Sequence, residues 1–316
     1  MTSVIFMGTP DFAVTVLDGL VAADYDVQLV ITQPDRKVGR KQIVQQSPVK
    51  QAALAHGIKV LQPEKLSGSP ELDEAIALHA DLIVTAAYGQ FLPTKFLKSA
   101  GIIAVNVHGS LLPKYRGGAP IQYAIKNGDA QAGVTIIEMI KKMDAGDMFA
   151  QASIPLTRED DTGTAFTRLA TVGRDLLLQT LPSIIDGSAT RTPQVEEEVT
   201  FSPTISKEEE HLDFTLTAKQ IDQWVRALRP AVGGWVQISG QRCKLWDVTP
   251  LAESTTQPAG TLIRSGKHEF VLAAGAGTVL AVNELQPAGK SKQDVTAFMN
   301  GQGRKFAPLA QVIEHE

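Results

Sequence analysis

The sequence predicts an α/β fold, in which a mostly parallel sheet domain is followed by a smaller C-terminal β-domain. In the first half of the chain, short apolar runs alternate with stretches whose apolar residues recur at helical spacing, which is typical of a mostly parallel sheet. Towards the C-terminus, one helix is followed by five short strands, a pattern that favours a small barrel or sandwich. The 316 residues suffice for about two domains that each bury a core.

The strands of the first domain are predicted from apolar runs that end at turn-forming or polar residues. They are Val4–Met7, Val27–Thr32, Ile58–Leu61, Leu82–Ala86, Ile102–Val107, Gly133–Ile140 and Phe149–Ile154. Helices are predicted over Phe12–Leu20, Pro48–His56, Pro70–Ala80, Pro120–Asn127 and Thr164–Ile185. Ser47 is expected to cap the second helix, because serine accepts hydrogen bonds from first-turn amides. The stretch Arg36–Gln46 is expected to form a loop.

The domain boundaries are predicted from a change in composition. Asp186–Lys207 is rich in Gly, Ser, Thr, Pro and Glu, which indicates a linker. We therefore predict a first domain at 1–189, a linker at 190–207 and a C-terminal domain at 208–316. In the last, a helix is predicted at Ala218–Leu228, followed by strands at Trp235–Ser239, Arg242–Val248, Thr261–Arg264, Glu269–Ala273 and Val279–Leu285.

The composition excludes several classes of protein. The single cysteine, Cys243, excludes an intrachain disulfide framework and a multi-cysteine zinc site. The six histidines are dispersed, so no metal site is predicted. No run approaches the ~20 apolar residues that span a bilayer, so no membrane partner is expected. The strand-like start without a basic region predicts no signal peptide, and we expect a cytoplasmic protein.

Two polar side chains stand at the end of an otherwise apolar strand. Asn106 and His108 are two residues apart, so on an extended chain both project from the same face. In open parallel sheets, ligands bind at the carboxyl ends of strands. An asparagine amide can hold a developing oxyanion, and a histidine can exchange a proton near neutral pH. The alternative is a structural histidine, which is the commoner role for a lone one.

Two further segments carry candidate chemistry. The loop that follows His108 contains Ser110-Leu111-Leu112-Pro113 and Arg116-Gly117-Gly118, and its permissive backbone would let a flat ligand approach closely. A structured connection to the next helix is an equally good interpretation. Asp144 lies in a turn after a strand, where one carboxylate can orient a histidine or activate an amine. An ordinary Asp-Gly surface turn is the alternative.

A basic segment stands out in a chain whose formal net charge is −4. Arg36–Pro63 contains six Lys and Arg residues and no Asp or Glu. Such a segment can hold a polyanion through phosphate contacts, although a charge run is more often a solvated face. None of the predicted domains has a net positive charge, so RNA would be bound at local basic patches and not by the electrostatic field of a whole domain.

Taken together, these segments resemble the methionyl-tRNA formyltransferase family over nearly the whole chain. The signature that carries most of the resemblance is Asn106-Val107-His108-Gly109-Ser110-Leu111-Leu112-Pro113 with Tyr115-Arg116-Gly117. Similar segments are Phe6-Met7-Gly8-Thr9-Pro10, Thr32-Gln33-Pro34-Asp35-Arg36, Met143-Asp144-Ala145-Gly146-Asp147, Ser206-Lys207-Glu208-Glu209 and Gln286-Pro287-Ala288-Gly289-Lys290.

The resemblance implies a Rossmann-like formyltransferase domain joined to an OB-like barrel that binds tRNA. It implies transfer of the formyl group of 10-formyltetrahydrofolate to the α-amino group of charged initiator methionyl-tRNA, without a metal. We expect the enzyme to act as a monomer.

The resemblance also assigns roles to individual residues. The family's catalytic residues correspond to Asn106, His108 and Asp144. Its folate-contacting segment corresponds to Ser110, Leu111, Leu112 and Pro113. Its tRNA-binding loop corresponds to the basic residues Arg36, Lys37, Arg40 and Lys41.

Three other functions remain open at this level. A formyltransferase that acts on an amino sugar or a glycinamide nucleotide would use the same Asn, His and Asp. A hydrolase that deformylates the folate would need only water as acceptor, which leaves the C-terminal domain unexplained. A non-catalytic RNA-binding protein would not need an intact catalytic set.

Overall fold

The computed structural model of the protein describes residues 1–38 and 42–313. The chain divides into two compact units. The first unit consists of Met1–Pro120, Gln131–Pro155 and Ala165–Pro203, and the second of Ile121–Ala130, Leu156–Thr164 and Thr204–Glu316. The boundaries 1–189, 190–207 and 208–316 stay a prediction.

A mostly parallel sheet forms the centre of the first unit, and this confirms the predicted fold class. The strands are β1 (Ser3–Gly8), β2 (Asp26–Ile31), β3 (Arg36–Val38), β4 (Ile43–Gln45), β5 (Lys59–Leu61), β6 (Leu82–Ala86), β7 (Ile103–His108), β8 (Gln131–Glu138) and β9 (Met148–Pro155). Seven of them form one sheet in the order β5-β2-β1-β6-β7-β8-β9. Strands β5, β2, β1, β6 and β7 are parallel, and β8 and β9 are antiparallel.

Helices of the first unit pack against its sheet, whose central strands are buried on both faces. The α-helices of the described residues are α1 (Asp11–Ala22), α2 (Pro48–Ala55), α3 (Pro70–Ala77), α4 (Thr94–Leu97), α5 (Pro120–Lys126), α6 (Thr162–Ile185), α7 (Ala218–Leu228) and α8 (Val295–Asn300). On one face, Ile5 and Met7 of β1 belong to a buried cluster with Leu72 of α3 and Phe96 of α4. None of the helices in residues 1–38 and 42–313 is long and apolar enough to cross a membrane.

Two local predictions were wrong. The helix expected over Pro70–Ala80 ends at Ala77, because His79 takes the left-handed conformation with φ 47°. The stretch Arg36–Gln46 is not a loop throughout. Within its described part, β3 and β4 pair as an antiparallel two-stranded ribbon outside the main sheet, a long-range pairing that the periodicity did not reveal.

The second unit contains an antiparallel sheet, as predicted for an OB-like domain. Its strands are β10 (Gly234–Ile238), β11 (Gln241–Ser254), β12 (Leu262–Gly266), β13 (Glu269–Ala273), β14 (Thr278–Pro287) and β15 (Gln293–Asp294). They follow the order β10-β11-β14-β13-β12, with β15 on β14. The path of strands is open, and the C-terminal segment 309–313 hydrogen-bonds near both of its edges, through Ser239 N to Val312 O and Leu262 N to Ala310 O.

Ser47→Ala is expected to destabilise the protein more than Ser69→Ala. Both hydroxyls cap a helix, since they accept hydrogen bonds from Lys50 N at 3.1 Å and Leu72 N at 3.2 Å. Ser47 also pairs at 2.8 Å with the hydroxyl of Thr32, which is fully buried. Loss of a cap alone should lower the free energy of unfolding by about 1 kcal/mol. In Ser47→Ala the buried Thr32 hydroxyl also loses its partner, so the loss measured by urea unfolding should reach about 2 kcal/mol.

The double variant Thr32→Val/Ser47→Ala is the control for this comparison. It removes both partners of the hydroxyl pair, so it should recover part of the loss seen with Ser47→Ala. Equal losses for the two single serine variants would contradict the role given to Thr32.

Candidate active site

Asn106 and His108 lie at the carboxyl end of β7, next to strands on both sides. Asn106 is opposite Thr85 of β6 and Ile137 of β8, and His108 is opposite Thr135 of β8. The His108 side chain is 5% exposed, whereas Asn106 is partly exposed. The two side chains therefore stand at the edge where open parallel sheets bind their ligands.

The amide of Asn106 is oriented by a residue that the sequence analysis did not single out. The buried hydroxyl of Thr85 donates a hydrogen bond of 2.8 Å to Asn106 Oδ1. Among the described residues, no acceptor pairs with Asn106 Nδ2. The amide therefore has its oxygen occupied and its N–H donors free for a ligand.

The ring of His108 is oriented by a backbone carbonyl. Its Nε2 lies 3.0 Å from Tyr115 O, and because a carbonyl only accepts, Nε2 is the protonated donor. The other nitrogen, Nδ1, lies 3.8 Å from Asp144 Oδ1. That distance is too long for a hydrogen bond. Asp144 therefore faces His108 without holding it, and Nδ1 is the nitrogen available to a reacting group.

Asp144 is placed by a tight turn between β8 and β9. It adopts φ 50°, and its Oδ2 accepts a 2.9 Å hydrogen bond from Gly117 N. Gly146 closes the same turn, since a Cβ there would collide with the carbonyl of Glu138. The carboxylate, 13% exposed, thus faces His108 with one oxygen and binds the neighbouring loop with the other.

The segment Ser110–Pro113 continues from His108 and is braced against β8 and β9. Thr135 Oγ1 donates to Ser110 O at 2.6 Å, and Gln151 Nε2 donates to Leu112 O at 2.8 Å. The Ser110 hydroxyl is used within the loop, where it donates to Lys114 O at 2.6 Å. Ser110 and Leu112 are buried, whereas Leu111 and Pro113 are partly exposed. Contact with a ligand would come from the latter two and from the backbone.

A segment that the composition assigned to the linker lies against this loop. We call residues 192–202 the clasp. Arg116 N donates to Thr200 O at 2.9 Å, and Ser202 N donates to Arg116 O at 2.8 Å. Gly117 adopts φ 128°, and a Cβ there would lie 2.6 Å from Ser202 O. This close backbone approach fixes the loop between Tyr115 and Gly117, whose atoms contact His108 and Asp144.

The clasp also supplies the charge partner of a buried arginine. Arg116 is 2% exposed, and its Nη2 lies 3.2 Å from Glu196 Oε1. Lys142, in the turn that carries Asp144, approaches the same carboxylate at 3.1 Å. Hydrogen bonds from Lys142 and Arg116 hold the pKa of Glu196 below its ordinary value of 4.5. Glu196 thus connects the two loops of the site.

The basic segment is less positive in the folded protein than in the sequence. Three of its four described cations are paired with acidic residues outside the segment. The pairs are Arg36–Glu64, Lys50–Asp35 and Lys59–Glu74. Among the described residues, Lys37 of β3 is exposed and has no ion-pair partner. Arg40 and Lys41 lie outside the described residues.

Several parts of the site were not visible to sequence reasoning. The groups that hold the three candidates come from other segments of the chain. Asn106 is bound by Thr85, His108 by Tyr115 O and Asp144 by Gly117 N, and the clasp holds the loop that carries the last two atoms. The available signal was weak: Thr85 is the one polar residue of the strand beside β7 and precedes its last residue. In the part of the chain that the structure describes, no three His, Cys, Asp or Glu residues are grouped to hold a metal ion.

Comparison with known proteins shows the family of the chain. A family model described as formyl transferase matches residues 1–181, and one described as formyl transferase, C-terminal domain, matches residues 204–303. The methionyl-tRNA formyltransferase of Lacticaseibacillus casei (strain BL23) is 67% identical over 313 residues, which cover 99% of this chain and 98% of that protein. The methionyl-tRNA formyltransferase of Latilactobacillus sakei subsp. sakei (strain 23K) is 59% identical with the same coverage.

Among solved structures, the chain is similar to an N-formyltransferase from Helicobacter canadensis in complex with folinic acid and dTDP-3-aminofucose. The TM-score is 0.67 and the identity 18%, over 91% of this chain and 100% of the other. At 18% identity, this similarity supports the assignment of the fold and nothing further.

Glu196→Gln is expected to lower the melting temperature at pH 7 and to have little effect in acid. The folded-state pKa of Glu196 is depressed, so the ion pairs stabilise the protein above the unfolded-state pKa. Their contribution is lost as the pH falls through the folded-state pKa, since a protonated glutamate resembles glutamine. Thermal unfolding between pH 7 and about pH 3 measures the difference.

Glu197→Gln is the matched control, because Glu197 has no ion-pair partner in the described parts of the chain. It should give no such pH-dependent difference. A constant difference between wild type and Glu196→Gln down to acid pH would contradict the role assigned to the pair.

Proposed function

As a member of the methionyl-tRNA formyltransferase family, the chain formylates methionyl-tRNA, and we propose that Asn106, His108 and Asp144 form the centre of this reaction. The formyl donor is 10-formyltetrahydrofolate, and the acceptor is the α-amino group of the initiator methionyl-tRNA. The observation that carries the assignment is the free amide of Asn106 on the same strand as His108, whose Nδ1 faces Asp144 at 3.8 Å.

The reaction needs three things from the protein. The amine attacks the formyl carbon, a C–N bond forms, and the carbonyl oxygen becomes an oxyanion. The bond from the formyl carbon to the folate nitrogen then breaks, and the proton lost by the amine is balanced by the one gained by that nitrogen. The site must therefore stabilise an oxyanion, accept a proton and deliver one.

The geometry supports a division of these tasks. Asn106 Nδ2 donates to the oxyanion, because its oxygen is already held by Thr85. Asp144 Oδ1 accepts the proton of the amine, and its other oxygen stays anchored on Gly117 N. His108 Nδ1 takes up this proton and delivers it to the folate nitrogen, because Nε2 is held by the carbonyl of Tyr115. The gap between Nδ1 and Oδ1 leaves both atoms available to the amine instead of to each other.

The folate is assigned to the loop that follows β7. Leu111 and Pro113 offer partly exposed apolar surface, and the bonds from Thr135 and Gln151 keep the loop backbone in place. The Helicobacter canadensis relative binds folinic acid, a formylated folate, on the same fold. Ser110 and Leu112 contribute by shaping the loop, since both are buried.

The tRNA is assigned to local patches. The patch on the first unit is the ribbon β3–β4, which carries Lys37. Arg40 and Lys41 are assigned to the same patch, although both lie outside the described residues. On the second unit, Arg242 lies over Trp235 at 4.2 Å, and Lys244 and Lys292 both lie 5.6 Å from Trp246. Cations beside aromatic rings are suited to phosphates and unpaired bases. We place the activity in the cytoplasm and expect a monomer.

The sugar formyltransferases are the nearest alternative, since they share the fold. The full-length identity of 67% to a methionyl-tRNA formyltransferase favours the tRNA acceptor. A direct assay supplies 10-formyltetrahydrofolate with charged tRNA, an amino sugar nucleotide, glycinamide ribonucleotide or water alone. Formylation of a small amine but not of methionyl-tRNA would refute the proposed acceptor.

Asn106→Ala, His108→Ala and Asp144→Ala are each expected to lower kcat by about 10²–10³-fold, the cost of losing one group that acts in the transition state. The measurement is the formation of N-formylmethionyl-tRNA, with circular dichroism to confirm that each variant folds. Near-normal turnover in a folded Asp144→Ala protein would contradict the assignment.

Lys37→Ala is expected to weaken the use of tRNA more than Arg36→Ala, although the two residues are neighbours. Arg36 already has a carboxylate partner in Glu64, with Nη2 at 2.7 Å from Oε2, whereas Lys37 has none among the described residues. Loss of one phosphate contact should reduce the salt dependence of log KM by roughly one. Equal salt dependence in Lys37→Ala and wild type would show that the ribbon is only a solvated surface.

A further inference from the structure

Gln194 lies in the clasp, within the stretch that the composition predicted as a linker, yet its carboxamide is fully engaged. Its Nε2 donates two hydrogen bonds of 2.8 Å, to Asp144 O and to Gly146 O. Its Oε1 accepts a hydrogen bond of 2.9 Å from Arg116 Nε. One side chain thus binds both carbonyls of the turn that carries Asp144 and the arginine of the loop that orients it.

This turn needs external support. Asp144 is in the left-handed region with φ 50°, a conformation that residues other than glycine adopt only rarely. The turn projects its carbonyls at residues 144 and 146 towards the clasp, where the two protons of one amide satisfy both. Without that amide, the carbonyls on both sides of Ala145 lose their hydrogen bonds. Among the described residues, the remaining hydrogen bond to the side chain of Asp144 is then the one from Gly117 N to its carboxylate.

The other contacts of the clasp do not reach Asp144. Thr192 pairs with Met148 of β9 through two backbone bonds of 2.9 Å, and Thr200 and Ser202 pair with the loop around Arg116. These bonds anchor the clasp at both ends. Gln194 lies between these two anchors. Among the described clasp residues, it is the one that hydrogen-bonds the backbone of Asp144.

We propose that Gln194 is a positioning residue for formyl transfer, because its amide holds the Asp144–Gly146 turn in which Asp144 Oδ1 faces His108 Nδ1 at 3.8 Å. This inference rests on the proposed function of Asp144. A displacement of about 1 Å in a reacting group costs on the order of 10²-fold in rate. Gln194 acts through Asp144 and touches neither substrate.

The first test compares two variants of Gln194 with one control. Gln194→Leu removes the amide at similar size, and Gln194→Glu keeps the oxygen that faces Arg116 but places a second oxygen against two carbonyls. Gln311→Leu removes a matched amide of the second unit, whose Nε2 donates to Ala259 O at 2.8 Å and Ile313 O at 2.7 Å and whose Oε1 accepts from Thr261. Gln311 belongs to none of the proposed catalytic, folate or tRNA residues.

We expect both Gln194 variants to lose about 10–100-fold in kcat, with the KM values for tRNA and folate within about threefold of wild type. Gln311→Leu should retain its kcat at saturating tRNA, whatever it loses in melting temperature. If Gln194→Leu does not fold, Gln194→Glu carries the test alone. A kcat within twofold of wild type in either folded variant, or a loss no larger than in Gln311→Leu, would overturn the proposal.

The second test asks whether Gln194 acts through Asp144. Asp144→Asn and Gln194→Leu are combined, and single-turnover rates are measured for wild type, both single variants and the double variant. If Gln194 only positions Asp144, the double variant should be no slower than Asp144→Asn. Multiplicative losses would show an independent structural role and overturn the inference. Full activity in Asp144→Asn itself would instead refute the proposed catalytic centre.

Discussion

The burial of the Arg116 guanidinium is the constraint on which the rest of the site depends. A buried positive charge has to be paired and hydrogen-bonded, and its partners, Gln194 and Glu196, both come from the clasp. Their binding holds residues 192–202 against the loop. The backbone on either side of Arg116 then does two separate tasks, since the carbonyl of Tyr115 orients His108 and the amide of Gly117 holds Asp144.

This arrangement separates positioning from chemistry. Each of the three candidate catalytic groups is held by an atom that takes no part in the reaction: Asn106 by Thr85, His108 by Tyr115 O and Asp144 by Gly117 N. No hydrogen-bond partner in residues 1–38 and 42–313 occupies the remaining atom of each group, which is Nδ2, Nδ1 and Oδ1 in turn. Preorganised groups of this kind need no rearrangement when charge develops, which is where most electrostatic catalysis originates. His108 Nδ1 and Asp144 Oδ1 are 3.8 Å apart, too far for a direct hydrogen bond, so neither atom is occupied by the other.

Ion pairs also neutralise much of the basic segment Arg36–Pro63. The run of six cations at Arg36–Pro63 is prominent in the sequence, yet Asp35 and Glu64, immediately outside it, and Glu74 pair with three of its members. Among its described residues, the basic segment therefore carries less unpaired positive charge than the count of six suggests. In a chain with a formal net charge of −4, we therefore expect binding of tRNA to depend on the positions of single cations more than on their number.

Most helices and strands, and the face of β7 that carries Asn106 and His108, could be predicted from the sequence, because alternation, helical spacing and capping are local properties. The sequence predicted the limits of α7, the cap at Ser47 and the common face of Asn106 and His108. It misassigned the ribbon and assigned residues 190–207 to a linker. Only the tertiary structure brought Thr85 to Asn106 across 21 residues and Gln194 to Asp144 across 50. Such bonds depend on the packing of distant backbone segments, and that packing leaves no periodic signal in the chain.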